Sequence, residues 1–284
     1  MMVKSRSSSQ PAEPLRWFVT GASSGLGAAV ARVALDRGDH VIATARDAAR
    51  VIAQDEDRMQ AWSLDLSDRD TRAASMAGIC RDHPDVDVVV ANAGYGLLGA
   101  FEETADHEIR EAFEVNLFGA LDVIRAYLPG MRDRGWGRIV VMSSVVGVTS
   151  GAGGSGYAGP KAALEAVADA LGAEVEPFGV DVMIVEPGAF RTDFGGRSLR
   201  LARPIDAYES SVGIARDAFV AGHGSQRGDP TRAAQIIVDA ALSSSVPRRL
   251  PLGPDAVAVL RNHYADRTAE VDAWEAPATA TDFR

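Results

Sequence analysis

The sequence predicts a three-layer α/β fold in which a mostly parallel sheet lies between two sets of helices. The expectation rests on a glycine-rich segment directly after the first strand, on short apolar runs separated by helix-length segments, and on a 284-residue chain with no internal shift of composition. The first strand, Arg16-Trp-Phe-Val-Thr20, and the second, His40-Val-Ile-Ala-Thr44, bracket residues 25–36, where Leu26, Val30, Val33 and Ala34 recur near helical spacing. These elements read as a βαβ unit. Further strands are expected at 59–64, 86–91, 138–143, 180–186 and 249–252. Their continuous Val-Val-Val and Ile-Val-Val-Met runs, without polar alternation, indicate strands covered on both faces.

Long helices are expected at 108–129, with Ile109, Phe113, Leu117 and Leu121 on an apolar path, and at 160–178, with Ala163, Leu164, Val167 and Leu171. Residues 190–228 break the rhythm with Gly195-Gly196, Pro204, Gly213 and Gly224, and read as an inserted loop carrying a helix near 207–221. Asp229-Pro230 then supplies a cap acceptor and a proline where a missing N–H is harmless, which starts a helix over 230–242. The expected organisation is a flexible tail at 1–14, one domain over 15–264 that includes the 190–228 insertion, and a polar, alanine-rich tail at 265–284 anchored by Trp274.

Composition narrows the function classes. A formal net charge of −10 and a pI near 5.0 oppose a nucleic-acid partner, because phosphate binding requires an extended basic surface. No apolar run approaches the roughly 20 residues that span a bilayer, and residues 1–14 lack the apolar segment of a secretory signal. Cys80 is the single cysteine, so an intrachain disulfide is excluded. His40, His83, His107, His223 and His263 are scattered without a ligand spacing, so no metal is expected. The simple reading is a soluble cytoplasmic protein without a membrane or nucleic-acid partner.

The first chemical element is Thr20-Gly21-Ala22-Ser23-Ser24-Gly25-Leu26-Gly27. One glycine permits a tight turn after the strand, another a close approach of a diphosphate, and the last a close approach of helix to strand. The helix N-terminus then faces the negative charge. Arg46 follows the second strand, where an adenosine ribose is expected; Ala45-Arg46 offers a guanidinium and no carboxylate, which favours NADP(H) over NAD, although Asp47 adjoins it. Asp65, followed by Leu66, either accepts from the adenine amino group or caps the next turn. Asn92-Ala93-Gly94 ends the 86–91 strand, where small residues let a cofactor cross the sheet edge and Asn92 braces backbone groups.

Ser144, Tyr157 and Lys161 form the reactive constellation. Tyr157 and Lys161 are four residues apart and share a helical face, and Ser144 lies thirteen residues before Tyr157. A tyrosine near its usual pKa of about 10 moves a proton at neutral pH only when its phenolate is stabilised, which a neighbouring ammonium and a positively charged nicotinamide both do. Ser144 orients the substrate oxygen, with Ser143 as the fallback, and Asn116 either kinks its helix or holds water leading to Lys161.

In the order of these motifs the chain resembles the classical short-chain dehydrogenase/reductase family over about residues 14–255. The resemblance implies a Rossmann-like core, a catalytic tetrad of Asn116, Ser144, Tyr157 and Lys161, a cofactor wall at Pro187-Gly188, and Thr192 reaching the nicotinamide carboxamide. It also implies pairing of long helices between subunits, hence a homodimer or homotetramer, although a monomer burying the same faces on its own sheet is the rival. Gly159-Pro160 departs from the Ala-Ser frequent in the family. The reaction expected is reversible reduction of a ketone or aldehyde to an alcohol with NADP(H). The alternatives are an NAD-dependent secondary-alcohol dehydrogenase and a non-enzymatic dinucleotide sensor. Tyr95, Gly96, Leu97, Val145, Val146, Phe190 and residues 194–208 are expected to form a largely apolar substrate pocket, favouring a bulky neutral substrate.

Overall fold

The structure, a computed structural model, describes residues 14–52, 55 and 57–283, so all of the expected N-terminal tail except Pro14 lies outside the described residues. The strands are β1 (Arg16–Thr20), β2 (His40–Ala45), β3 (Met59–Ser63), β4 (Val88–Ala91), β5 (Gly96–Leu98), β6 (Gly137–Met142), β7 (Val180–Pro187), β8 (Leu199–Leu201) and β9 (Arg249–Leu252). The α-helices are α1 (Gly25–Asp36), α2 (Arg69–Asp82), α3 (Asp106–Phe113), α4 (Gly119–Arg134), α5 (Val145–Val148), α6 (Ser155–Val175), α7 (Ile214–Ala221), α8 (Pro230–Ala241) and α9 (Pro254–Thr279).

Seven strands form one parallel sheet in the order β3-β2-β1-β4-β6-β7-β9. Side chains alternate across each strand, so Trp17, Val19, Val88, Val90, Val140 and Met183 enter one core layer, beneath α1 and α8. Phe18, Val89, Ile139, Val141, Val182 and Ile184 enter the other, beneath α4 and α6. Each such buried side chain stabilises the fold by about 1.5–3 kcal/mol relative to exposure, which explains why the strand sequences are apolar throughout. Strand order reverses between β1 and β4, and a crevice opens there beyond the carboxyl ends of the strands.

Local chemistry sets the helix boundaries. Asp229 accepts from the N–H of Thr231 at 2.8 Å with Pro230 in the first helical position, as the sequence predicts for α8. The helix expected over 108–129 is instead α3 and α4 joined by a π-helical turn, Glu114–Phe118. Arg72, 1% exposed, secures this turn by binding Glu114 and Asp122 at 2.7 Å while donating to the carbonyl of Leu66 at 2.6 Å.

Three further expectations require correction. The helix expected to start at Pro160 begins at Ser155, so the proline lies inside α6. Residues 190–228 contribute β8, which pairs with β5, and their helix is a π turn, Glu209–Gly213, followed by α7. The C-terminal segment read as a tail from residue 265 continues α9 through Thr279, with only Ala256 and Leu260 of that helix buried and Trp274 70% exposed. Its alanine, glutamate and arginine content favours helix without an apolar stripe to announce it.

Candidate active site

The glycine turn is shaped by close contacts. Gly21 and Gly25 have φ of 67° and 60°, in the left-handed region open to glycine. A Cβ on Gly27 would lie 2.3 Å from Asn92 Nδ2 and 2.6 Å from the carbonyl of Gly21. Asn92 is the brace the sequence suggests: Nδ2 donates to the Thr20 carbonyl at 2.8 Å, while the backbone N–H groups of Asn92 and Ala93 donate to Thr20 Oγ1 at 2.9 Å. Ser24 occupies the N-cap of α1 without a side-chain cap bond. The first-turn N–H groups therefore have no intrahelical partner and face the crevice as an anion cradle.

A cleft of about 650 Å³ runs from this turn across the strand ends. Ser23, Leu26, Arg46, Asp65, Leu66, Asn92, Gly94, Ser144, Tyr157, Lys161, Pro187, Gly188 and Thr192 all line it. Arg46 is exposed, and Asp47 turns away from it to cap a short helix by accepting from Ala49 N at 3.0 Å. Asp65 uses Oδ1 to hold the Ser67 backbone and hydroxyl at 2.9 and 2.7 Å, which is the turn-capping alternative. Thr192 lies over Gly25, 3.5 Å from where a Cβ would stand. The positive-φ glycines and the uncapped helix N-terminus fit a dinucleotide diphosphate, with Arg46 and Asp65 at the β2–β3 end of the cleft and Lys161 and Thr192 at the β6–β7 end.

At that second end, α6 carries Tyr157 and Lys161 on one face, and the end of β6 supplies Ser144. Ser144 caps α5 and donates to the Pro187 carbonyl at 3.5 Å. The Ser144 hydroxyl and the Tyr157 phenol both line the cleft. Ser143, the fallback, is excluded from the cleft chemistry because its buried hydroxyl donates to Glu165 Oε1 at 2.6 Å. Asn116 sits in the π turn with both ends of its amide on the Tyr95 backbone, at 3.0 and 3.1 Å. Gly94 permits this approach, since a Cβ there would lie 2.4 Å from Asn116 Oδ1.

A family profile described as short chain dehydrogenase matches residues 16–200. The chain belongs to the short-chain dehydrogenase family. As such it is an oxidoreductase of carbonyl and alcohol groups that works with a nicotinamide dinucleotide. Among relatives of this dehydrogenase, Oxidoreductase BOA17 of Botryotinia fuckeliana is 34% identical over 259 residues, covering 90% of this chain and 93% of that protein. A crystal structure of a short-chain dehydrogenase from Streptomyces avermitilis is 44% identical, covers 95% of this chain and all of that one, and superposes with a TM-score of 0.90. An alcohol dehydrogenase from the archaeon Thermococcus sibiricus, solved with 5-hydroxy-NADP, is 26% identical, covers 83% of this chain and 94% of that one, and has a TM-score of 0.66.

The electrostatics of the dehydrogenase site differ in one respect from the sequence expectation. Burial pushes the Tyr157 phenol well above its ordinary value, and the neighbouring Ser144 hydroxyl opposes that shift. Lys161 shares the helical face of Tyr157. Its Nζ donates to the Met142 carbonyl at 2.6 Å and stands 5.8 Å from the Tyr157 ring centroid. Burial lowers the Lys161 ammonium to about 8, against the charge of Glu165, which raises it.

Sequence reasoning missed several groups around this site. Asp255, at the start of α9, accepts from the Ala189 N–H at 2.7 Å and fills the space beside Gly188. No local pattern announces a contact 66 residues apart. Arg200 of β8 pairs with Glu111 at 2.7 Å and stacks on Tyr95 at 4.3 Å from the ring centroid, tying the inserted segment to the cleft mouth. Gly159, read as a departure from the family, lets Phe113 approach to 3.2 Å from where a Cβ would be. Glu165 was legible in spacing alone, four residues beyond Lys161 on the same helical face.

Proposed function

We propose that the protein is an NADP(H)-dependent reductase that reversibly converts a lipophilic, neutral ketone or aldehyde to an alcohol in the cytoplasm, with Asn116, Ser144, Tyr157 and Lys161 as its catalytic group. The observation that carries the reading is the convergence of Ser144, Tyr157 and Lys161 on the wall of a cleft that joins the glycine turn to an apolar chamber. When bound, the nicotinamide supplies or accepts the hydride. Ser144 and Tyr157 then hold the substrate oxygen, and the phenol, kept protonated by its burial, donates its proton as charge develops there. Lys161 holds positive charge beneath the phenol and offers N–H donors to ribose hydroxyls. Asn116 fixes the Tyr95 segment that borders the reacting centre.

The chamber beyond this group is lined by Leu97, Val145, Val146, Phe194, Leu199 and Phe219. Its charged residues are already paired, Arg200 with Glu111 and Arg197 with Asp193, which supports a neutral substrate. NADPH oxidation against a panel of lipophilic ketones and aldehydes tests the reading. Tight dinucleotide binding without turnover on any of them would instead support a sensor.

The preference for NADP(H) rests on Arg46, exposed at the end of β2 with Asp47 engaged elsewhere, and is supported by the NADP analogue in the Thermococcus sibiricus relative. Arg46→Ala is expected to weaken NADPH binding about 10- to 100-fold and to leave NADH nearly unchanged, as suits one lost charge-assisted phosphate contact. Calorimetry with both dinucleotides reads this directly; equal losses, or equal affinities in the parent protein, would favour an NAD-dependent secondary-alcohol dehydrogenase.

A homodimer or homotetramer is part of the same proposal. Phe118 and Val167 are 46% and 40% exposed at the start of α4 and on α6, and Phe178 is 47% exposed just beyond α6. Packing these helices against a second copy would cover such positions. Light scattering over a range of concentrations is expected to give a multiple of 29.9 kDa, and a persistent species of that mass would defeat the claim.

A further inference from the structure

Behind the wall formed by Ser144 and Tyr157 lies a cluster of three carboxylates and one guanidinium that the mechanism above does not use. Glu165 of α6, 4% exposed, accepts from Ser143 Oγ through Oε1 and from Arg249 Nη1 through Oε2 at 2.5 Å. The same guanidinium reaches Glu186 Oε1 at 2.7 Å and Asp169 Oδ2. Glu186, 1% exposed, immediately precedes Pro187 and Gly188 in the cofactor wall. One cation faces three carboxylates, of which Glu165 is the one whose charge acts on Lys161.

The contacts are arranged in sequence along β6. Lys161 donates to the carbonyl of Met142, and Glu165, one turn later on the same helix, holds the hydroxyl of Ser143. Two successive residues are thus gripped from α6 immediately before Ser144. Since side chains alternate along an extended segment, fixing Ser143 inward turns Ser144 toward the cleft. The turn that follows rests on the same pair: a Cβ on Gly147 would lie 2.7 Å from Glu165 Oε1 and 2.8 Å from Ser143 Oγ.

We propose that Glu165 is a positioning residue of the active site, anchoring Ser143 so that Ser144 faces the substrate oxygen and placing a carboxylate one helical turn from Lys161, while Arg249 holds it in a single orientation. The proposal rests on the reductase reading. Lys161 is faced by Tyr157 and Glu165 on its own helix, by the Met142 carbonyl of β6 and by Asn116 of the π turn. Glu165 is faced by Ser143, by Asp169 of α6, by Glu186 of β7 and by Arg249 of β9, and Tyr264 of α9 feels the same charges. Burial drives the Lys161 proton off and Glu165 retains it, so removing the Glu165 charge lowers the pH at which Lys161 is neutralised.

Lys4 and Lys161 are the only lysines in the sequence, which makes the test direct. Full-length protein carrying [13Cε]lysine gives two signals, assigned with Lys4→Arg, and is titrated with and without NADPH. In the unsubstituted protein the Lys161 signal is expected to titrate near pH 8. In Glu165→Gln, whose amide oxygen still accepts from Ser143, the midpoint should fall by about one unit, a tenfold change in proton affinity. Glu165→Asp keeps the charge but withdraws it from Ser143, so Lys161 should titrate almost as before while NADPH-dependent reduction of 4-nitrobenzaldehyde slows about tenfold or more.

An unchanged Lys161 midpoint in Glu165→Gln would overturn the proposal. Should that variant fail to fold, Glu165→Asp takes its place: reduction at the parent rate with Ser143 no longer held would overturn the proposal equally. The NMR titration requires no turnover. Absence of carbonyl reduction in all forms with the Lys161 shift intact would therefore count against the reductase reading alone, whereas an active enzyme with an unmoved Lys161 would sink the role of Glu165 alone.

Discussion

Tyr157→Phe is expected to lower kcat/KM for carbonyl reduction by about a thousandfold, within the range that a positioned proton donor contributes, while leaving NADPH affinity within about threefold. The substitution removes only the hydroxyl. The ring keeps its tilted contact with Phe194, 5.4 Å between centroids, so the wall of the chamber keeps its shape. Ser144 is then left to hold the substrate oxygen without a proton to give it. Because burial disfavours the phenolate, the intact enzyme holds this proton throughout the neutral range, and the loss should be nearly independent of pH between about 6 and 8. Steady-state rates with calorimetric NADPH binding separate the two quantities, and near-normal turnover would remove Tyr157 from the mechanism.

Lys161→Met is expected to reduce turnover by about a hundredfold or more and yet to yield a more stable protein at pH 7. Lys161 is 3% exposed, and its folded value of about 8 lies below the 10.5 of an ordinary lysine. A base whose folded pKa is depressed destabilises the fold fully below the folded value, and the cost fades as pH rises toward the unfolded value. The shift corresponds to about 3 kcal/mol, and the Met142 carbonyl left without its donor takes back about 1–2 kcal/mol. Urea unfolding should therefore show Lys161→Met ahead by about 1–2 kcal/mol at pH 7, with the advantage shrinking between pH 8 and 10.5. A variant less stable than its parent at pH 7 would mean that Lys161 is held by contacts stronger than the Met142 bond and the field of Glu165.

The sequence by itself determined the architecture and singled out the candidate reactive groups. Each strand buried on both faces had to be an unbroken apolar run, so β1, β4, β6 and β7 were readable within two residues at each end. Gly21, Gly25 and Gly27 were readable because left-handed turns and a 2.3 Å approach to Asn92 admit no side chain. Tyr157 and Lys161 declared themselves by helical spacing, and Asp229-Pro230 by the chemistry of a helix start. All of these leave a mark in the local sequence, as an apolar run, a glycine or a fixed spacing, whatever partner completes the contact.

Only the tertiary structure decided where side chains meet across the sheet. Glu165 is bonded to Ser143 and Arg249 at separations of 22 and 84 residues, and Asp255 reaches Ala189 across 66, contacts set by which strands lie side by side rather than by any periodicity. The three-residue pairing of β5 with β8 is too short to leave a pattern. Pro160 marked a false helix start because proline is compatible with an α-helix whose preceding turn is held by packing: Gly156 lies against Leu97, and Gly159 against Phe113. The balance of charge at Tyr157 and Lys161 likewise depended on burial, a property of the assembled layers that residue spacing does not carry, and it is burial that made the phenol a retained acid and the lysine a weakened base.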